Sequence, residues 1–162
     1  MKAEEIKAPR GKKSDELIKE TQDNGICVND TAKSLIKKII LSGNQFKGSR
    51  KIKPVIITLE KLELSDGGTL KEIVRAAKKI GLKPLRGIHP PITASKLPNN
   101  TWDNYQNIFI EEDIKIGKKE YLGSLFQIHE GRLQAFQINR ETVIGRKMRN
   151  FRNSDIRLIF RS

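Results

Sequence analysis

The hydrophobic period of this chain changes once along its length, and that change limits the folds open to it. Up to about residue 80 the apolar residues recur at helical spacing, and from residue 107 onward they alternate every second position, as half-buried strands do. Helices first and strands afterwards predict an α+β domain, with N-terminal helices packed on one face of a mostly antiparallel sheet.

The helical part divides into three segments. Ser14 is placed to cap the first, with Asp15 and Glu16 in its opening turn, Leu17 and Ile18 facing inward and Gly25 past its end. The second starts at Asn29 or Asp30 and sets Ala32, Leu35, Ile36, Ile39 and Ile40 on one side and Lys33, Lys37 and Lys38 on the other, with Gly43 as its stop. The third opens on TLKE, Thr69 to Glu72, where hydroxyl and carboxylate can each take the other residue's backbone amide in a capping box. Leu70, Ile73, Val74, Ala77 and Ile80 form its apolar stripe and Gly81 its left-handed cap, so a helix over 69–80 is predicted.

Between the second and third helices, VIITL from Val55 is rich in β-branched residues and predicts a strand over 55–62, with Pro54 tolerable only at a strand start or edge. Asp66, Gly67 and Gly68 then turn the chain. Four prolines between Lys83 and Asn100 predict an ordered loop with one brief strand, because each removes an amide donor. Strands are predicted over 107–111, 121–128, 133–138 and 156–160, with HEGR, His129 to Arg132, as a tight turn. Residues 1–13 read as a mobile basic arm and 14–162 as a single domain.

The stretches KKSDELIKETQDNGICVNDTAKSLIKKI and LELSDGGTLKEIVRAAKKIGLKPL resemble a family of small uncharacterised bacterial proteins. That family has two N-terminal helices, a strand, an Asp-Gly turn, a helix ending in Gly-Leu and a Pro-rich loop, and the resemblance spans about residues 13 to 160. Where the family continues with a Cys-Pro-Pro-Glu-Val-Gly type stretch, this chain runs Lys83 to Pro91 without the cysteine or the glutamate. The resemblance implies an order of elements and no activity.

Charge is the second constraint. Thirty-two Lys and Arg against nineteen Asp and Glu leave a net +13, a charge that repels itself unless a polyanion or counterions screen it. The excess lies in residues 1–100 and 141–162, whereas 101–140 is close to neutral. The last eighteen residues, GRKMRNFRNSDIRLIFRS, carry five arginines and a lysine beside one aspartate. Arg157 and Arg161 share a strand face, and guanidinium forks match phosphate oxygens. The reading is a non-catalytic nucleic-acid-binding protein, contacting RNA or sequence-tolerant DNA through Lys47, Arg50, Lys51, Arg146, Lys147, Arg149, Arg152, Arg157 and Arg161. One alternative is a small toxin-type ribonuclease with His129 and Glu130 as acid and base and Arg132 holding phosphate. Another is an interaction module for an acidic protein partner.

Other motifs read as structural. GNQFKGS, Gly43 to Ser49, has the glycine spacing of a phosphate loop but lacks its Lys and Ser or Thr, and it follows a helix instead of a strand. Glu111 to Asp113 reads as a solvated acidic turn, since neighbouring strand residues diverge and do not share an ion; neither a metal nor a cofactor is expected. Trp102 and Tyr105 are candidates for stacking on bases. Cys27, the one cysteine, sits between Ile26 and Val28 and reads as a small buried hydrophobe. No apolar run approaches the roughly 20 residues a membrane helix needs, so a cytoplasmic protein without membrane insertion is expected.

Overall fold

The computed structural model describes residues 4–7, 11–42, 51–111, 114–115, 121–122, 124–139, 141–145 and 155–162. Its elements run β1 (Ile6–Lys7), α1 (Ser14–Asp23), β2 (Cys27–Val28), α2 (Asp30–Leu41), β3 (Lys51–Ile52), β4 (Pro54–Thr58), β5 (Gly68–Thr69), α3 (Leu70–Lys79), α4 (His89–Lys96), β6 (Gln106–Phe109), β7 (Ile114–Lys115), β8 (Tyr121–Leu122), β9 (Ser124–His129), β10 (Arg132–Gln137), β11 (Val143–Ile144) and β12 (Ile156–Arg161). The class is α+β, as the change of period predicts.

The main sheet has six strands in the order β2-β10-β9-β6-β12-β4. It is mostly antiparallel, but β12 runs parallel to β6 and β10 parallel to β2. β12 carries residues from the end of the chain into the sheet interior, and its side chains are buried on both faces. Ile159 joins a core with Leu17, Ile36, Phe109 and Phe126, whereas Ile156, Leu158 and Phe160 join a second with Leu62, Ile73 and Ala77. The helices therefore lie on both faces: α1, α2 and α4 on one, α3 and the 3-10 turn Glu60–Leu62 on the other. The expectation of helices on one face fails because α3 carries a full apolar stripe of its own, and the sheet is apolar enough to bury two.

α3 is built as read. The Thr69 Oγ1 accepts the Glu72 amide at 3.2 Å and the Glu72 carboxylate accepts the Thr69 amide at 2.7 Å. Gly67 before it has φ +86, and a Cβ there would stand 2.6 Å from the backbone of Ile144 and Gly145, so both the conformation and the pairing of β5 with β11 require glycine. Neither Lys13 nor Asn29, the residues that precede α1 and α2, makes a side-chain cap bond; Ser14 is the first helical residue of α1 rather than its cap.

Several boundaries differ from the sequence reading. The strand expected over 55–62 ends at Thr58 and closes into the 3-10 turn; Pro54 opens it on the sheet edge, where its missing amide is harmless. The Pro-rich stretch contains helix α4. Pro90 and Pro91 fall in its first turn, where the amides they lack would have no intrahelical acceptor. Asn24, just past α1, donates to the Ala94 and Leu97 carbonyls at 2.9 and 2.8 Å, satisfying the far end of α4. The expected arm also gains structure: β1 pairs with β3, and Ile6 is buried in the first core. A single apolar residue in a charged stretch is enough when an adjacent edge and a core slot are open to it.

Candidate nucleic-acid interface

The topology gathers cations from three distant segments at one end of the sheet. β12 runs antiparallel to β4, so Arg161 faces Pro54, and the Ser162 amide donates to the Lys53 carbonyl at 3.1 Å. Lys83, just past α3, exchanges two backbone bonds with Arg161, of 2.8 and 2.9 Å. The Arg161 Nε donates to the Pro84 carbonyl at 2.8 Å, which fixes the guanidinium against the 83–86 segment. Lys51, Lys53 and Lys83 are exposed, and Arg86 and Arg161 are half-buried. Lys51 and Lys53 reach Glu5 at 3.2 and 3.6 Å. The hydrogen bond from Lys51, followed by the charges of both lysines, outweighs partial desolvation and lowers the Glu5 carboxyl below its usual range.

α3 leads into this end and extends its charge. Lys71, Arg75, Lys78 and Lys79 are exposed at i, i+4, i+7 and i+8, opposite the buried Leu70, Ile73 and Ala77. The result is a basic helix face a little over two turns long. This face was available in the sequence as helical spacing within the capped helix. The nearness of Lys53, Lys83 and Arg86 to Arg161 had no local signal, because pairing across the sheet creates it.

Beside this end stands His89, 2% exposed, at the start of α4. Among the described residues its Nδ1 has no hydrogen-bond partner. Burial first, then the charges of Arg161 and Arg86, lower its pKa to about 4, so the imidazole is neutral at physiological pH. His89 falls in the Pro-rich stretch expected to be an ordered loop; it is helical and buried.

Arg157, expected to point at phosphate, is tied into the fold. Its Nε and Nη2 donate to the Asn107 Oδ1 at 3.0 and 2.9 Å, and Nη2 also donates to the Thr101 carbonyl. Its guanidinium stacks 4.0 Å over the Tyr105 ring, and burial lowers its pKa. Asn107 is itself buried, donating to the carbonyls of Trp102, Tyr105 and Ile128 at 3.0 to 3.2 Å. Arg157 and Asn107 thus fasten the 101–105 segment to the sheet. Lys51 and Arg161 lie at the basic end, while Lys47, Arg50, Arg146, Lys147, Arg149 and Arg152 lie outside the described residues, as does the GNQFKGS loop.

HEGR forms the two-residue turn expected of it, with Glu130 and Gly131 both at positive φ and His129 opposite Arg132. In the ladder Cys27, Arg132 and His129 stand side by side on three strands. Ile128 lies opposite Asn107, which neighbours Arg157, and Arg161 is four residues further along β12, on the order of 13 Å away. The turn and the basic end therefore occupy opposite ends of the sheet.

Three further expectations change. Trp102 is 2% exposed and packs on Phe109 with ring centroids 5.5 Å apart; it anchors the core and is closed to bases, while Tyr105 lies under Arg157. Glu111 is not part of a solvated turn. It is buried, its Oε2 accepts the Phe126 amide at 3.2 Å, and its Oε1 has no partner among the described residues. Burial outweighs that bond and raises its pKa well above the carboxyl range. Glu112 and Asp113 lie outside the described residues. Cys27 is exposed because it sits on the short edge strand with its side chain opposite in direction to Val28.

Among the described residues no group of three or more His, Cys, Asp or Glu side chains is placed to hold a metal ion, and no helix is long and apolar enough to cross a membrane. No protein-family model, curated protein or solved structure matches the chain.

Proposed function

We propose that this protein is a non-catalytic nucleic-acid-binding protein that contacts RNA, or DNA without sequence preference, through phosphates. The observation that carries this reading is the convergence of Lys53, Lys83 and Arg161 from three segments at one end of the sheet, into which the end of α3 leads. Lys51 and Arg86 flank the cluster, and Glu5 pairs with Lys51 and Lys53 there. Such a surface binds a phosphate backbone by releasing its counterions. Arg157 is left out of the contact set because its donors serve Asn107 and Thr101.

The ribonuclease alternative has Arg132 opposite His129 as its phosphate-holding cation, but the convergent basic end lies at the other end of the sheet and would not serve it. An acidic protein partner would use the same surface as nucleic acid, and competition between the two separates them.

Binding of a fluorescent single-stranded RNA, measured by anisotropy between 50 and 200 mM salt, tests the proposal. Affinity should fall steeply with salt, and the triple variant K71E/R75E/K78E should flatten the log–log slope by roughly two to three. Undetectable binding at low salt, or a slope indifferent to the variant and to K83E, would overturn it.

A further inference from the structure

We infer that Arg86, His89 and Arg161 form a discrete subsite for a phosphate monoester at the basic end of the sheet. This inference rests on the reading above only for the source of the phosphate, not for the site.

Three ties bring the residues together. Backbone bonds join Arg161 to Lys83, the Arg161 Nε is held by the Pro84 carbonyl, and the His89 amide donates to the Arg86 carbonyl at 3.0 Å. His89 is inside the protein with an Nδ1 that has no partner among the described residues, a polar atom whose burial costs free energy unless something completes it. Among the described residues the charges acting on the imidazole are Arg161 and Arg86, both positive. A nearby carboxylate would favour a protonated histidine, whereas this setting keeps it neutral until an arriving anion offsets the two positive charges.

α4 supplies position here, not donors. Pro90 and Pro91 occupy its first turn and have no amide hydrogens, so the usual anion cradle of a helix N-terminus is missing. The side chains have to do the binding. Two guanidiniums and an imidazole suit a dianion with three oxygens, which a phosphate monoester offers and an internal phosphodiester does not. The burial of His89 also selects an end group, since a continuous strand would need an open groove. The two sources of such a group are free phosphate and the terminal phosphate of a polynucleotide.

Long-range proton–nitrogen spectra of histidine-labelled protein read the imidazole directly. With two histidines in the chain, the His129→Ala variant assigns the signals. Titrating inorganic phosphate at constant ionic strength should move the His89 resonances saturably, raise its pKa and leave His129 still. R86Q and, separately, R161K should each weaken the effect about tenfold, the size of one charge-assisted hydrogen bond. A short RNA carrying a terminal phosphate should bind about tenfold tighter than its hydroxyl-ended twin and shift the same signals. If His89 is unmoved by phosphate and by phosphorylated RNA while RNA still binds, the subsite is refuted and the surface reading stands. If phosphate moves His89 but no RNA binds, the subsite holds for free phosphate and the nucleic-acid reading falls.

Discussion

Replacing Glu111 by Gln should make the protein more stable, and increasingly so as pH rises. Glu111 follows the last residues of β6, where the ladder to β9 has already ended at Ile108 and Gln127. Its carboxyl takes over as acceptor for the Phe126 amide, leaving the second oxygen buried and without a partner among the described residues. The folded pKa lies well above the ordinary value of 4.5, so folding holds a proton that the unfolded chain releases. The stabilising contribution of the protonated group is complete below 4.5 and is lost as pH rises toward the folded value. Over that interval wild-type stability falls by about 1.4 kcal/mol per pH unit relative to a variant that cannot ionise. Gln keeps the carbonyl acceptor, so the hydrogen bond is conserved. His89 titrates with the opposite sign: its lowered pKa costs stability as pH falls from 6.5 toward about 4. That term is common to both proteins and cancels in their difference. Urea denaturation of wild type and E111Q at pH 5, 6, 7 and 8 gives the comparison, with E111L as a control that loses the acceptor and should cost about 1–3 kcal/mol at low pH. A stability difference between wild type and E111Q that stays constant from pH 5 to 8 would refute the burial of a protonated carboxyl.

Four other outcomes follow from single side chains. T69A, which removes half of the capping box, should cost about 1 kcal/mol in urea denaturation, and T69S should be close to neutral. R157Q should cost about 2 kcal/mol by stranding the Asn107 and Thr101 oxygens, yet leave the salt slope of RNA binding unchanged. The single tryptophan should emit at short wavelength, resist acrylamide and ignore added RNA, because Trp102 is enclosed with Phe109. Cys27 should react with a thiol reagent at the rate of a free peptide while the protein is folded; protection until unfolding would contradict its exposure.

Local chemistry wrote much of this fold into the sequence. The capping box at Thr69, the turns at Gly67 and Gly131 and the two hydrophobic periods each depend on residues a few positions apart, so spacing alone determined α3, the HEGR hairpin and the α+β class. What spacing cannot carry is which surfaces meet. The same alternation in β12 suits an exposed face of arginines or a strand buried on both sides, and only the parallel pairing with β6 and the packing of α3 and α4 made it the second. That burial turned Arg157 from an expected phosphate contact into a brace for the 101–105 segment. It also enclosed His89 and Glu111, and brought Lys53 and Lys83 beside Arg161. The partners of Arg157 and Arg161 are set by strand order and helix placement across gaps of fifty residues or more. A residue's charge is a property of its own chemistry; the free energy of that charge depends on water being excluded and on which groups stand opposite, and both arise only when the sheet is assembled.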